Sequence, residues 1–180
     1  MEQTMKLNKV LTGLLLGSLI SLNLNAVTIG QTPKLVSISD DNGGLVEDGS
    51  VWSSSIITDK VYVMFYVDPD EKDVNEHFSQ ALKAKEYDKS RFGSMAIINL
   101  AATWKPNFVI EKILKGKQEE FPRTIYVKDK SSVLVKEWEL ADDASNILLF
   151  ASDGKLLFYK SGKMQEDDMN KVFKLIEDNI

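Results

Sequence analysis

The stretch "VYVMFYVDPDEKDVNEHF", residues 61–78, decides the fold. Its first seven residues are all apolar or aromatic, and Asp59 and Lys60 before them and Asp68 and Pro69 after them bound the run. A central strand buried on both faces has this composition. Beyond an acidic turn, Val74, Phe78, Ala81 and Leu82 recur at i, i+4, i+7 and i+8, one face of a helix, and the stripe lapses at Lys85. Asp73 stands at the expected N-cap with Glu76 three residues later, a capping-box pattern. The spacing therefore predicts a strand, an acidic turn and a helix started by Asp73.

Outward from this unit the pattern repeats. "LVSISD" (35–40) alternates as a half-buried strand does, and "DNGG" (41–44) reads as a turn. "SMAIINL" (94–100) is a second buried strand, and Asn107 to Lys117, following Pro106, carries helical spacing through Phe108, Ile110, Ile113 and Leu114. "TIYV" (124–127) and "VLVKEWEL" (133–140) are apolar segments that pattern alone assigns to neither state. In "NILLFASDGKLLFYK" two apolar runs flank Asp153 and Gly154, a pair that favours a tight hairpin turn. Met169, Val172, Phe173 and Ile176 mark a closing helix, with Glu166, Asp167 and Asp168 in its first turn where negative charge suits the dipole. Strands alternating with helices and ending in a hairpin plus helix give a mixed sheet covered on both faces.

The bulk properties narrow the function. The chain has 180 residues, 43% hydrophobic and 27% charged, which suits one self-supporting domain. Its 22 basic and 27 acidic residues give a net charge of −5, the wrong sign for a sequence-independent grip on nucleic acid. Residues 1–26 divide into a head bearing Lys6 and Lys9, an apolar stretch from Val10 to Leu22 and a short polar tail, the layout of a secretory signal peptide. The stretch is shorter than the roughly 20 residues of a membrane span, so no stable span is expected once the leader is removed. Cleavage is expected after Ala26, with Leu24 large for the minus-three position, and retention of the leader as an anchor is the alternative. Residues 27–180 would then form an exported, periplasmic domain. There is no cysteine, which removes thiol–disulfide and thiol-peroxidase mechanisms and every thiolate metal ligand.

"DKVYVMFYVDPDEKD" resembles the strand and active-site turn of thioredoxin-like and peroxiredoxin-like proteins, and "ILLFASDGKLLFYKSGKM" resembles their closing hairpin. More narrowly, "KEYDKSRFGSMAIINLAAT", "FPRTIYVKDKSSVLVKEWELADDASNILLFASDGKLLFYKSGKM" and the leader are similar to the YtfJ family of bacterial exported proteins, over roughly residues 27–178. The resemblance implies an α/β fold, a thioredoxin-like (peroxiredoxin/TlpA-like) three-layer sandwich around a central mixed sheet. It implies no activity, because the family has none established. It puts the paired-cysteine positions near Asp70 and Asp73 and the position before the last hairpin, usually a cis-proline, near Ser145, so neither feature of the oxidoreductase site is kept.

Sharper readings of the acidic turn can be weighed on its spacing. Asp68, Asp70, Glu71 and Asp73 supply the oxygen ligands that Ca²⁺ or Mg²⁺ prefers. Counted from Asp68, however, Asp73 and Ser79 stand where a calcium loop needs glycine and glutamate. Asp68 and Asp70 also match the DxD of haloacid-dehalogenase-type phosphotransferases, but Lys72 replaces the small hydroxyl residue that follows. His77, the only histidine, has no serine or acid at a telling distance and reads as a surface or half-buried helix residue. Trp52, Trp104 and Trp138 read as core or core edge, and Lys112, Lys115 and Lys117 as the solvated side of a helix. The expectation is a module binding another periplasmic protein or peptide, with no catalytic, cofactor-binding or metal residues assigned. A metal-dependent hydrolase or phosphatase using Asp68 to Asp73 is the alternative, and a transcription regulator is disfavoured by leader and charge.

Overall fold

Residues 26–180 are described by a computed structural model of the chain. The expected leader, apart from Ala26, lies outside the described residues. Three short strands open the fold: β1 (Ser37–Ile38), β2 (Gly43–Leu45) and β3 (Trp52–Ser53). There follow β4 (Val61–Val67), α1 (Glu76–Ala84), β5 (Phe92–Asn99), α2 (Asn107–Glu120), β6 (Thr124–Asp129), α3 (Val133–Trp138), β7 (Ser145–Phe150), β8 (Leu156–Ser161) and α4 (Glu166–Asn179). The main sheet runs β2-β6-β5-β4-β7-β8, with β4, β5 and β6 parallel and the other pairings antiparallel. β1 and β3 pair separately.

The decisive run is thus β4, flanked by β5 and β7 along its length. Two-sided burial explains why it does not alternate. Tyr62, Met64 and Tyr66 pack on one face with Trp52, Leu134 and Trp138. Val61 and Val63 pack on the other with Phe78, Leu82, Val172 and Ile176. One layer therefore holds α1, α2 and α4, and the opposite layer holds α3 and the N-terminal segment. This is the three-layer arrangement with a mixed sheet that the sequence predicts.

Several local expectations are corrected. The strand expected at 35–40 keeps two residues, and "DNGG" is not a simple turn: Gly43 and Gly44 enter β2, which pairs with Asp129 and Lys128 at the sheet edge. At Gly43 φ is +124° and a Cβ would stand 1.8 Å from the Lys128 carbonyl oxygen, so a close approach of two backbones fixes glycine there. β5 is covered fully only on the side of Met95 and Ile97, while Ser94, Ala96 and Ile98 are half-buried. Residues 133–138 are helical because the Asp129 carboxylate accepts the N–H groups of Val133 at 2.9 Å and Leu134 at 3.2 Å. The hairpin and closing helix stand as expected, with Asp168 accepting the Gln165 N–H at 2.9 Å. Asp73 does not start α1: the helix begins at Glu76, and Asp73 is exposed and paired with Lys72.

Candidate functional site

In open α/β sheets the carboxyl ends of the parallel strands are where ligands bind. Here that edge gathers the buried polar groups. Of the seven buried polar or charged residues among the described ones, all but Ser54 lie there: Asp68, Asn75, Asn99, Asp129, Ser145 and Asn146. Asp68 follows β4, Asn99 and Asp129 end β5 and β6, and Ser145 and Asn146 begin β7. Each is held by its neighbours, as buried polar groups must be.

Asn75 ties the start of α1 to the far side of the sheet. Its amide donates to Ser145 Oγ at 2.9 Å and to the Gly162 carbonyl at 3.0 Å, and its Oδ1 accepts the Met164 N–H at 2.8 Å. Asn146 donates to the Ala141 carbonyl at 2.9 Å and accepts from the Tyr159 hydroxyl at 3.0 Å. Asn99 links Ser132 and Asp142, at 2.8 Å each. Asp129 accepts from the Tyr66 hydroxyl at 3.1 Å as well as from the start of α3. Burial and the Asp129 charge raise the Tyr66 pKa, so its hydroxyl remains a donor.

The acids of the turn do not converge. Asp68 points inward, is 3% exposed, and accepts the Asp70 N–H at 2.7 Å. Burial pushes its pKa up to about 6, helped by the negative charge of Asp143 and by Glu71, against the pull of Lys105. Asp70 points outward, accepting from Thr103 Oγ1 at 3.1 Å and pairing with Lys105. Among the described residues no three His, Asp or Glu side chains come together in a metal-holding group. His77 is exposed on α1 and engages the Met164 carbonyl through Nε2 at 2.9 Å, with no serine or carboxylate on that nitrogen. Ser145 sits opposite Val67 at the start of β7, and no cis peptide bond occurs among the described residues.

Asp70 therefore grips the loop after β5 on both sides of Trp104. That indole is 86% exposed, and Phe108, one turn on, is 75% exposed. Trp52 and Trp138 are core residues, as expected, but Trp104 is not. Lys112 and Lys115 lie on the solvated side of α2, whereas Lys117 is held by Glu76 and Glu120. Sequence pattern missed Asn75, Asp129 and Asn146. Only Asp129 carried a signal, an Asx residue shortly before an apolar run.

Known proteins share this architecture. A putative protein disulfide isomerase from Bacteroides thetaiotaomicron matches with a TM-score of 0.60 at 16% identity, over 85% of this chain and 90% of that one. A putative thiol:disulfide interchange protein DsbE from Chlorobium tepidum matches with a TM-score of 0.58 at 14% identity, over 86% and 99%. The fold is thioredoxin-like, without the cysteines. Among sequence relatives, an uncharacterized protein of Haemophilus influenzae is 29% identical over 129 residues, 69% of this chain and 70% of that protein. The uncharacterized protein YtfJ of Escherichia coli is 24% identical over 156 residues, 82% and 84%. The profile of a bacterial family of unknown function, YtfJ_HI0045, matches residues 27–179, and the chain belongs to that family.

Proposed function

We propose that this protein is a non-catalytic binding module of the periplasm, a cysteine-free thioredoxin-like domain that engages another protein or peptide at the carboxyl edge of its sheet. One observation carries the reading: the acidic turn spends Asp70 on fastening the Trp104 loop, through Thr103 and Lys105, with Trp104 itself left 86% exposed. Exposing a large indole is unfavourable unless something covers it, and tryptophan and phenylalanine are the side chains that anchor protein interfaces. Around them the buried polar groups are hydrogen-bonded to neighbouring backbone and side chains, which holds a surface in place.

The test is site-specific photocrosslinking in intact cells, with the reactive group placed at Trp104 or Phe108 and, as control, at Lys174 on α4. A discrete adduct from the first two positions and none from the third is the expected result, and Asp70→Ala should diminish it by releasing the loop. Turnover of a small-molecule or phosphate substrate by the purified protein, abolished by Asp68→Ala or Asp70→Ala, would overturn the reading. Recovery of the protein, leader uncleaved, from the cytoplasm would overturn its location.

A further inference from the structure

The sheet face under α1 and α2 is incompletely covered. Phe65 is the one residue of β4 that is not buried, and Ala96 and Ile98, on the same face of β5, are half-buried too. A cavity of about 550 Å³ lies between this face and the two helices. It opens to solvent, and its volume falls in the range of small-molecule pockets. Its lining runs from Lys60, Ser94 and Arg123, where the parallel strands begin, to Val67, Pro69 and Ile98, where they end. The span of β4 makes that roughly 20 Å.

The lining selects the occupant. Its middle is apolar, with Phe65, Ala96, Ile110 and Leu114. β4 and β5 are each paired on both sides, so their backbone groups are committed to the sheet ladder. A peptide laid there would bury unsatisfied amides, whereas an alkyl chain has none to satisfy. At the strand-beginning end the lining turns basic, with Lys60, Lys89 and Arg123 against the single acid Glu86. Lys60 and Arg123 donate to the carbonyls of Lys89 and Tyr87, at 2.9 and 2.8 Å, and each retains further N–H donors. Asp88 accepts the Ser90 N–H at 2.8 Å and the Ser90 hydroxyl at 2.9 Å, and it also lies in the field of Arg91 and Arg123. A basic mouth on a chain of net charge −5 is complementary to an anion.

We infer that the cavity between α1, α2 and the sheet binds a single-chain fatty carboxylate, its alkyl chain along Phe65, Ala96 and Ile98 and its carboxylate at Lys60, Lys89 and Arg123. Its basic mouth lies at the end of the sheet opposite the Trp104 loop, and the site stands whether or not that loop binds a partner.

Calorimetric titration of the purified protein with dodecanoate below its micelle concentration, with dodecanol as the uncharged match, tests it. Saturable one-to-one binding is expected, weaker by about tenfold or more for dodecanol and for the double variant Lys89→Gln/Arg123→Gln. Ala96→Trp, which fills the middle of the cavity, should abolish binding while thermal melting shows the fold retained. If Ala96→Trp does not fold, Leu114→Phe takes its place with the same expectation. Absence of saturable heat, equal affinity for dodecanol, or unchanged affinity in a folded cavity-filled variant would overturn the inference.

Discussion

Asn75 and Asp73 stand two residues apart at the start of α1 and do opposite kinds of work. Asn75 makes three hydrogen bonds in a buried setting, so Asn75→Ala orphans the Met164 N–H and the Gly162 carbonyl. A loss of about 2–3 kcal/mol is expected in urea unfolding, against less than about 0.5 kcal/mol for Asp73→Ala, whose side chain lies in solvent. Equal effects would return the cap to Asp73. Asp68 gives a pH signature. Its folded pKa of about 6 lies above the unfolded value near 4, so the folded state holds this proton more tightly. Its contribution to stability is full below pH about 4 and is lost as pH rises through about 6. Asp68→Asn cannot ionise and still accepts the Asp70 N–H. It should raise stability by about 1–2 kcal/mol at pH 8 and change it little at pH 4, read from melting curves at the two values.

Among the elements, β2 and α3 show how tertiary partners assign what pattern leaves open. β2 exists because two glycines let the chain run against β6, so Gly43→Ala meets both a left-handed φ and the Lys128 carbonyl oxygen. A loss of about 2–4 kcal/mol is expected, with amide exchange rising first at Gly44, Leu45 and their β6 partners. α3 is six residues long, too short to persist by propensity. Asp129 supplies acceptors for its first N–H groups, and Leu134 and Trp138 pack it against Met64 and Phe150. Asp129→Ala should therefore cost about 2–4 kcal/mol by denaturant unfolding, and Tyr66→Phe, which removes one donor of the same carboxylate, about 1 kcal/mol.

At the scale of the molecule, stability is uneven. β4, β5 and β7 are paired on both sides, whereas α2 meets the sheet through Ile110 and Leu114 beside the cavity. Hydrogen exchange should find the amides of β4 opening only with global unfolding and those of α2 at a lower free energy, a difference that dodecanoate narrows. Equal protection would mean that α2 is anchored as firmly as the strands. The sequence by itself determined the central strand, the helices after it, the closing hairpin and helix, and the loss of thiol chemistry. Those features rest on local composition and period: Val61 to Val67 are apolar on both faces, and a missing cysteine is missing in any fold. Only the tertiary structure decided that Asp68 turns inward, that Asp70 fastens the Trp104 loop, that Asn75 reaches Ser145, and that a cavity is left between α1, α2 and the sheet. Each depends on residues from different elements meeting in space, 33 positions apart for Asp70 and Thr103 and 70 for Asn75 and Ser145, and no periodicity along a single chain records which side chains will face one another.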